Sequence, residues 1–150
     1  MDFKIVETSE QDLAGLPGLW IKKKMPANPD VTNYAALKWR IVLGFVQSAY
    51  WPPTNSSPYA GHWFFSLWVR PILRGLGIGE SLMRKVIEKA RDEGGKELFC
   101  TVIHNNSAAL NLYYKLGFEK TKIQYFEEVL RHQEVTLGKR YFLVLRKRLS

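Results

Sequence analysis

Apolar and polar positions alternate along this chain with two different rhythms. From Glu80 onward the rhythm is helical. Leu82, Met83, Val86, Ile87 and Ala90 fall on one face, while Arg84, Lys85, Glu88, Lys89 and Arg91 fall elsewhere. Gly94-Gly95 stops that helix. A second helix is predicted after Asn106, a good N-cap. Ala109, Leu112, Tyr113 and Leu116 share one of its faces, and Gly117 sits at its end. Elsewhere the pattern is that of strands. Phe3 to Val6 alternates, and Trp39 to Tyr50 is rich in β-branched and aromatic residues, with an interruption expected near Gly44. His62 to Val69 is almost continuously apolar, which suits a central strand covered on both faces, and Pro71 ends it. Leu98 to Ile103 reads as a further buried strand, followed by Phe118 to Phe126 and Arg140 to Leu149. Near the start, Ser9 with Asp12 three residues on marks the entry to a helix. Pro17, Pro26 and Pro29 interrupt the next stretch, so the first third is predicted as short helices and turns. Between Trp51 and Gly61, Pro52, Pro53, Pro58 and a polar cluster make an irregular loop, either a binding element or a mobile one.

Composition narrows the class. A length of 150 residues fits one domain, 1–150, and 46% hydrophobic with 13% aromatic residues supplies a core, so disorder is excluded as the default. The net charge of +8 favours anionic partners or simply solubility. Much of that charge lies near the C-terminus, in Lys139-Arg140 and Arg146-Lys147-Arg148. No nucleic-acid motif accompanies it, and a solvated edge strand is expected. Cys100 has no second cysteine to pair with, which suits a reducing compartment, and its apolar surroundings mark it as a buried small hydrophobe. The charges of Met1 to Glu7 do not suit a signal peptide, and no stretch is apolar enough to span a bilayer. A soluble, cytoplasmic protein is expected, with neither membrane nor nucleic acid as partner.

Candidate chemistry lies where the strand ending at Val69 runs into Arg74-Gly75-Leu76-Gly77-Ile78-Gly79 and then a helix. Glycines let backbone N–H groups approach an anion, the helix N-terminus adds partial positive charge, and Arg74 brings a full one. In physical terms this is a pyrophosphate cradle. The spacing is not that of a dinucleotide fingerprint, and the Gly-Lys-Ser/Thr of a nucleotide P-loop is absent. A glycine-rich helix entry without a ligand is the alternative on these residues alone. No metal site is implied, since no ligands have the required spacing.

Two runs carry a family resemblance. Val69 to Gly79 resembles the coenzyme A signature of the GNAT superfamily of N-acetyltransferases, Arg/Gln-x-x-Gly-x-Gly/Ala. Asn106-Ser107-Ala108-Ala109-Leu110-Asn111-Leu112-Tyr113-Tyr114-Lys115-Leu116-Gly117-Phe118 is similar to that family's second signature and comes at the expected distance. The resemblance runs from about Gly61 to Phe118; the flanks agree only in coarse pattern. It implies a single-domain α/β (α+β) fold, with a central, mixed, mostly antiparallel sheet of about six to seven strands and helices on both faces. It also implies a monomer or homodimer that transfers acetyl from acetyl-CoA directly to an amine, without a metal.

The resemblance implies roles residue by residue. The backbone of Gly75, Leu76, Gly77, Ile78, Gly79 and Glu80 would hold the pyrophosphate, with Arg74 opening the motif. Leu67, Trp68 and Val69 would pair with the pantetheine arm, in a V-shaped gap between this strand and Leu98 to Ile103. Asn106 would contact the arm near that gap. Tyr113 would be the acid that protonates the departing thiolate, although it lies on the apolar face of its helix and packing is its other reading. An attacking amine must also lose a proton. Members that modify protein N-termini often carry Glu five residues before the motif Asn, where this chain has Thr101. His104, His62 or a water relay remain as the base, and a surface or capping role for His104 stays open. Ile123-Gln124-Tyr125-Phe126 looks like the paired-aromatic strand that holds a peptide backbone in those members, and core packing is the alternative. Tyr125 is thus one acceptor contact, and Tyr50, where the 50–61 loop would shape a small-molecule pocket, is another. The acceptor is therefore a protein N-terminus, a lysine or a small-molecule amine. A non-catalytic acyl-CoA sensor is the rival reading.

Overall fold

The computed structural model describes residues 2–17, 29–53, 59–122 and 142–149. Seven strands form one sheet: β1 (Lys4–Thr8), β2 (Asp30–Lys38), β3 (Ile41–Trp51), β4 (Gly61–Val69), β5 (Glu97–Ile103), β6 (Glu119–Lys120) and β7 (Phe142–Arg148). Their spatial order is β1-β2-β3-β4-β5-β7-β6, and every pair is antiparallel except β4 with β5. The mixed, mostly antiparallel sheet expected from the sequence is the one observed.

Helix α1 (Ile78–Asp92) buries Leu82, Met83, Val86, Ile87 and Ala90, the predicted stripe, against Tyr34, Ala36, Val46 and Phe64 of the sheet. Helix α2 (Ser107–Lys115) sends Tyr113 into the same cluster, so both helices cover one face. Neighbouring residues in a strand point to opposite faces. Ala35 therefore lies on the other face, where it packs with Phe45 and with Leu13 of a short 3-10 turn, Gln11–Leu13. Ser9 does accept from the Asp12 backbone N–H at 3.2 Å, but the turn it opens stops at Leu13 instead of growing into a helix. Cys100 is buried in the core, as its sequence context implied, and burial pushes its thiol pKa up.

Several expectations are refined by the structure. Asp30–Lys38 is a full strand in the region predicted as short helices and turns. Trp39 belongs to the β2–β3 turn, with φ 57°, and not to the strand. β3 runs on as one strand but carries a bulge, its pairing with β2 stepping from Leu37–Val42 to Ala36–Gly44, which is the interruption expected near Gly44. A side chain there would come within 2.6 Å of the Trp68 carbonyl oxygen, so glycine permits close approach of β4. β7 is also no edge strand. It pairs with β5 on one side and β6 on the other, and Arg146 Nε lies 3.3 Å from Glu97 Oε2. Among the described residues no helix is long and apolar enough to cross a membrane.

The feature that positions the site is the β4–β5 pair. These strands are bridged only at His62–Leu98 and Trp63–Phe99. Beyond Trp63 they part, and among the described residues the backbone edge of β4 toward β5 has no strand partner. The V-shaped gap implied by the resemblance is therefore a feature of this sheet.

Candidate functional site

The open end of β4 is anchored before the chain turns. Arg70 donates its backbone N–H to the Leu43 carbonyl at 2.9 Å and its Nε to the Val42 carbonyl at 2.6 Å. A 3-10 turn, Pro71–Leu73, comes next, and Arg74 Nε donates back to the Val69 carbonyl at 3.0 Å. Gly75 (φ 84°) and Gly77 (φ 88°) are left-handed, which an L side chain resists. Gly77 is the N-cap of α1 and supplies no side-chain acceptor. The first N–H groups of α1, at Ile78, Gly79 and Glu80, therefore have no partner within the helix.

These groups border a cleft of ≈ 460 Å³. Leu67 to Val69 form one wall, Arg74, Gly75 and Gly77 to Glu80 the floor, and Asn106 with one face of α2 the opposite wall. Asn106 is the N-cap of α2, its Oδ1 accepting from the Ala109 N–H at 3.3 Å. Across the mouth, Glu80 joins the two helices, 2.8 Å from Arg84 Nη2 and 3.2 Å from Lys115 Nζ. The hydrogen bond from Arg84, then that from Lys115, holds the Glu80 carboxyl below its ordinary pKa, so it stays ionised.

Of the residues expected to hold a cofactor, Leu67, Trp68, Val69, Arg74, Gly75, Gly77, Ile78, Gly79, Glu80 and Asn106 line this cleft. Leu76 does not, and its side chain is 55% exposed. Leu73, Ala108, Ala109, Leu112 and Lys115 also line it, and the motifs alone did not mark them as contacts. The predicted apolar face of α2 was the available signal for Ala109 and Leu112. That face packs on the core, but it also turns toward the gap.

Tyr113 is not in the cleft wall. Its ring packs edge-on against Phe64 at 5.2 Å and lies 5.9 Å from Phe118. Burial pushes its phenol pKa well above the ordinary value, so it is protonated throughout the neutral range. Its hydroxyl makes no hydrogen bond among the described residues, yet no buried side-chain N or O atom is left without a partner. The oxygen therefore keeps some surface exposure. His104 lies in the turn after β5, partly buried, two residues before Asn106.

Two sequence candidates lie elsewhere. His62 pairs with Leu98 at the closed end of the V, its Nε2 3.9 Å from Glu93. It is five residues of strand from Leu67, about 16 Å at the usual rise, too far to take a proton from an amine in the cleft. Tyr50 pairs with His62 and packs on its ring at 4.7 Å, so it too is at the wrong end of the sheet for an acceptor contact there. Tyr59, from the described part of the 50–61 loop, stacks on Trp51 at 4.7 Å. Tyr125, with the Ile123 to Phe126 strand, and Lys139-Arg140 lie outside the described residues.

Such a cleft suits a long, thin ligand with an anionic bridge. Helix N–H groups and Arg74 are placed where they can meet an anion, and the edge of β4 that no described strand covers can accept an extended arm as a further strand would. Among the described residues no group of three His, Cys, Asp or Glu is gathered for a metal. Residues 9–118 match the family model described as "Acetyltransferase (GNAT) family". The chain belongs to that family. It is 30% identical over 121 residues to the L-amino acid N-acyltransferase MnaT of Escherichia coli, covering 80% of this chain and 60% of that one. It is 33% identical over 78 residues to an L-methionine sulfoximine/L-methionine sulfone acetyltransferase of Pseudomonas aeruginosa, covering 52% and 44%. The chain thus spans less than two thirds of either relative. Among solved structures, the NatC complex bound to Gag peptide and CoA superposes with a TM-score of 0.62 at 26% identity, covering 79% of this chain and 71% of that one. For a GNAT chain, both signature motifs stand on opposite sides of one cleft.

Proposed function

We propose that this chain is an N-acetyltransferase that holds acetyl-CoA in the cleft between β4, α1 and α2 and acetylates a primary amine. The observation that carries the reading is the conjunction of an uncapped α1 N-terminus with the parting of β4 from β5. One supplies an anion cradle, and the other a slot for an extended arm that leads to it. A side chain added at Gly75 or Gly77 would meet nothing within 4 Å, so the space before the α1 amides is open, as a bound pyrophosphate requires. Gly75, Gly77 to Glu80 and Arg74 hold the pyrophosphate, and Leu67 to Val69 with Asn106 hold the arm. When bound, acetyl-CoA supplies an activated acyl thioester.

The protein's own groups then move protons. Tyr113, protonated at neutral pH, donates to the departing sulfur. His104, beside the wall formed by Asn106, accepts the proton of the attacking amine. The acceptor is a primary amine on an amino-acid skeleton. The E. coli and Pseudomonas relatives are named for such amines, and a thialysine N-epsilon-acetyltransferase of Bos taurus shares 41% identity over 51 residues. The test is thiol release from acetyl-CoA against a panel of free amino acids, lysine analogues and short peptides. Acceptor-dependent release with free amino acids supports the reading. Release only with peptides would move the acceptor to a protein N-terminus. CoA binding with no release on any amine would make the chain a sensor.

A further inference from the structure

Ser66 lies within β4 at φ 62°, a left-handed conformation that non-glycine residues seldom adopt. It forms a bulge. β3 pairs Phe45 with Trp68 and Gln47 with Phe65, so Ser66 and Leu67 together stand opposite Val46. The bulge changes which side chains face which way. Before it, Phe64 joins the core under α1 and Phe65 the opposite face. After it, Leu67 and Val69 are on the α1 side and Trp68 on the other. An unbulged strand would exchange Trp68 with Leu67 and Val69, and would turn the backbone groups of the cleft wall the wrong way.

A chain of polar side chains reaches this bulge. Ser66 Oγ donates to Gln47 Oε1 at 2.7 Å, and Gln47 Nε2 donates to Asn33 Oδ1 at 3.0 Å. Gln47 is 0% exposed and Asn33 is buried, on the face that also holds Phe45 and Phe65. A buried amide in apolar surroundings is costly unless satisfied, so its presence between two aromatic clusters requires a reason. None of the three side chains lines the cleft.

We infer that Asn33, Gln47 and Ser66 are positioning residues that hold the β4 bulge left-handed, and that through it they set the affinity for the pantetheine arm of CoA. This rests on the assignment of Leu67 to Val69 to that arm. The hydroxyl of Ser66 offsets the backbone cost of its conformation, and the Gln47 and Asn33 amides fix the hydroxyl. The nucleotide end of CoA, held by the α1 amides, is independent of this device.

The test compares Ser66→Ala with Ser66→Gly. Both delete the hydroxyl, but only glycine adopts the left-handed conformation freely. Titration calorimetry with CoA is expected to show about tenfold weaker binding for Ser66→Ala and a change within about threefold for Ser66→Gly. Adenosine 3′,5′-bisphosphate, which lacks the arm, is expected to bind both variants as it binds the wild type. Gln47→Leu should behave like Ser66→Ala and be rescued by adding Ser66→Gly. In the free protein, hydrogen exchange over residues 64–69 should quicken in Ser66→Ala and not in Ser66→Gly. Equal CoA affinities for the two Ser66 variants, or equal weakening of both ligands, would overturn the inference. A wild-type chain that binds no CoA would instead overturn the cofactor assignment, while the exchange comparison would still decide whether these side chains hold the bulge.

Discussion

Placing a carboxylate at Gly77 should separate binding from stability. Gly77 is the N-cap of α1 at φ 88° and ψ 2°, and an added Cβ meets nothing within 4 Å, so steric clash plays no part. An L residue in this region costs ~1–2 kcal/mol. Restricting the unfolded chain returns ~0.4–1 kcal/mol. The net loss for Gly77→Ala is about 0.5–1 kcal/mol, a fall in Tm of about 1–4 °C at this chain length. Gly77→Glu carries the same backbone cost, but its charge at the helix N-terminus gains ~0.3–1 kcal/mol, so it should melt at or above Gly77→Ala. Binding should move the opposite way. At about 5 Å from a doubly charged pyrophosphate, the repulsion is ~1.7 kcal/mol in a water-like dielectric and ~6.6 kcal/mol at an effective dielectric of 20. The smaller figure alone weakens CoA by about fifteenfold relative to Gly77→Ala. Calorimetric titration of both variants at low salt and near 1 M salt is the assay, and screening should narrow the gap at high salt. Equal CoA affinity in the two variants would refute the cradle.

Other consequences are as direct. Tyr113→Phe should lower turnover about tenfold or more with CoA affinity unchanged. Because the hydroxyl it removes has no hydrogen-bond partner among the described residues, Tm should not fall; unchanged turnover would retire Tyr113 as the acid. His104→Ala should lower kcat/KM about tenfold or more with CoA affinity unchanged, and unchanged kcat/KM would assign the base elsewhere. Asn106→Ala loses the α2 cap and about 1 kcal/mol of stability, which Asn106→Asp should restore without restoring CoA affinity; thermal melts and calorimetry read the two effects separately. Burial lowers the His62 pKa from 6.5, against the opposing pull of Glu93, so below pH 6.5 the unfolded chain binds the extra proton first. Stability should therefore fall as pH drops through 6.5 and level off below the folded value, a component missing from the wild-type minus His62→Gln difference only if His62 is not buried as described.

Both α-helices were legible because each rests on local periodicity or local backbone chemistry, whereas the gap between β4 and β5 was expected only from the family resemblance. The apolar stripe of α1, the Asn106 cap and the glycines before Ile78 each announce themselves within a few residues. β2 did not, because Tyr34, Ala35 and Ala36 are all buried, so the strand lacks an alternation of apolar and polar positions. Its turn, Trp39-Arg40, also lacks the Asn-Gly or Asp-Gly pair that marks a tight hairpin. The Ser66 bulge was invisible, since a serine in an apolar run gives no hint of a left-handed backbone. That Tyr50 and His62 lie away from the cleft is a matter of register. Both are polar-tipped aromatics near a strand end, but only the β3–β4 pairing tells which end of the sheet they occupy.

Nitrogen-bound proton shifts during a titration with CoA test the central claim most directly, because they report each backbone amide. The largest changes should fall on Gly75, on Gly77 to Glu80 and on Leu67 to Val69, with Tyr50 and His62 unmoved. Saturation with those amides silent, or with the changes centred on the His62 end of the sheet, would contradict the account.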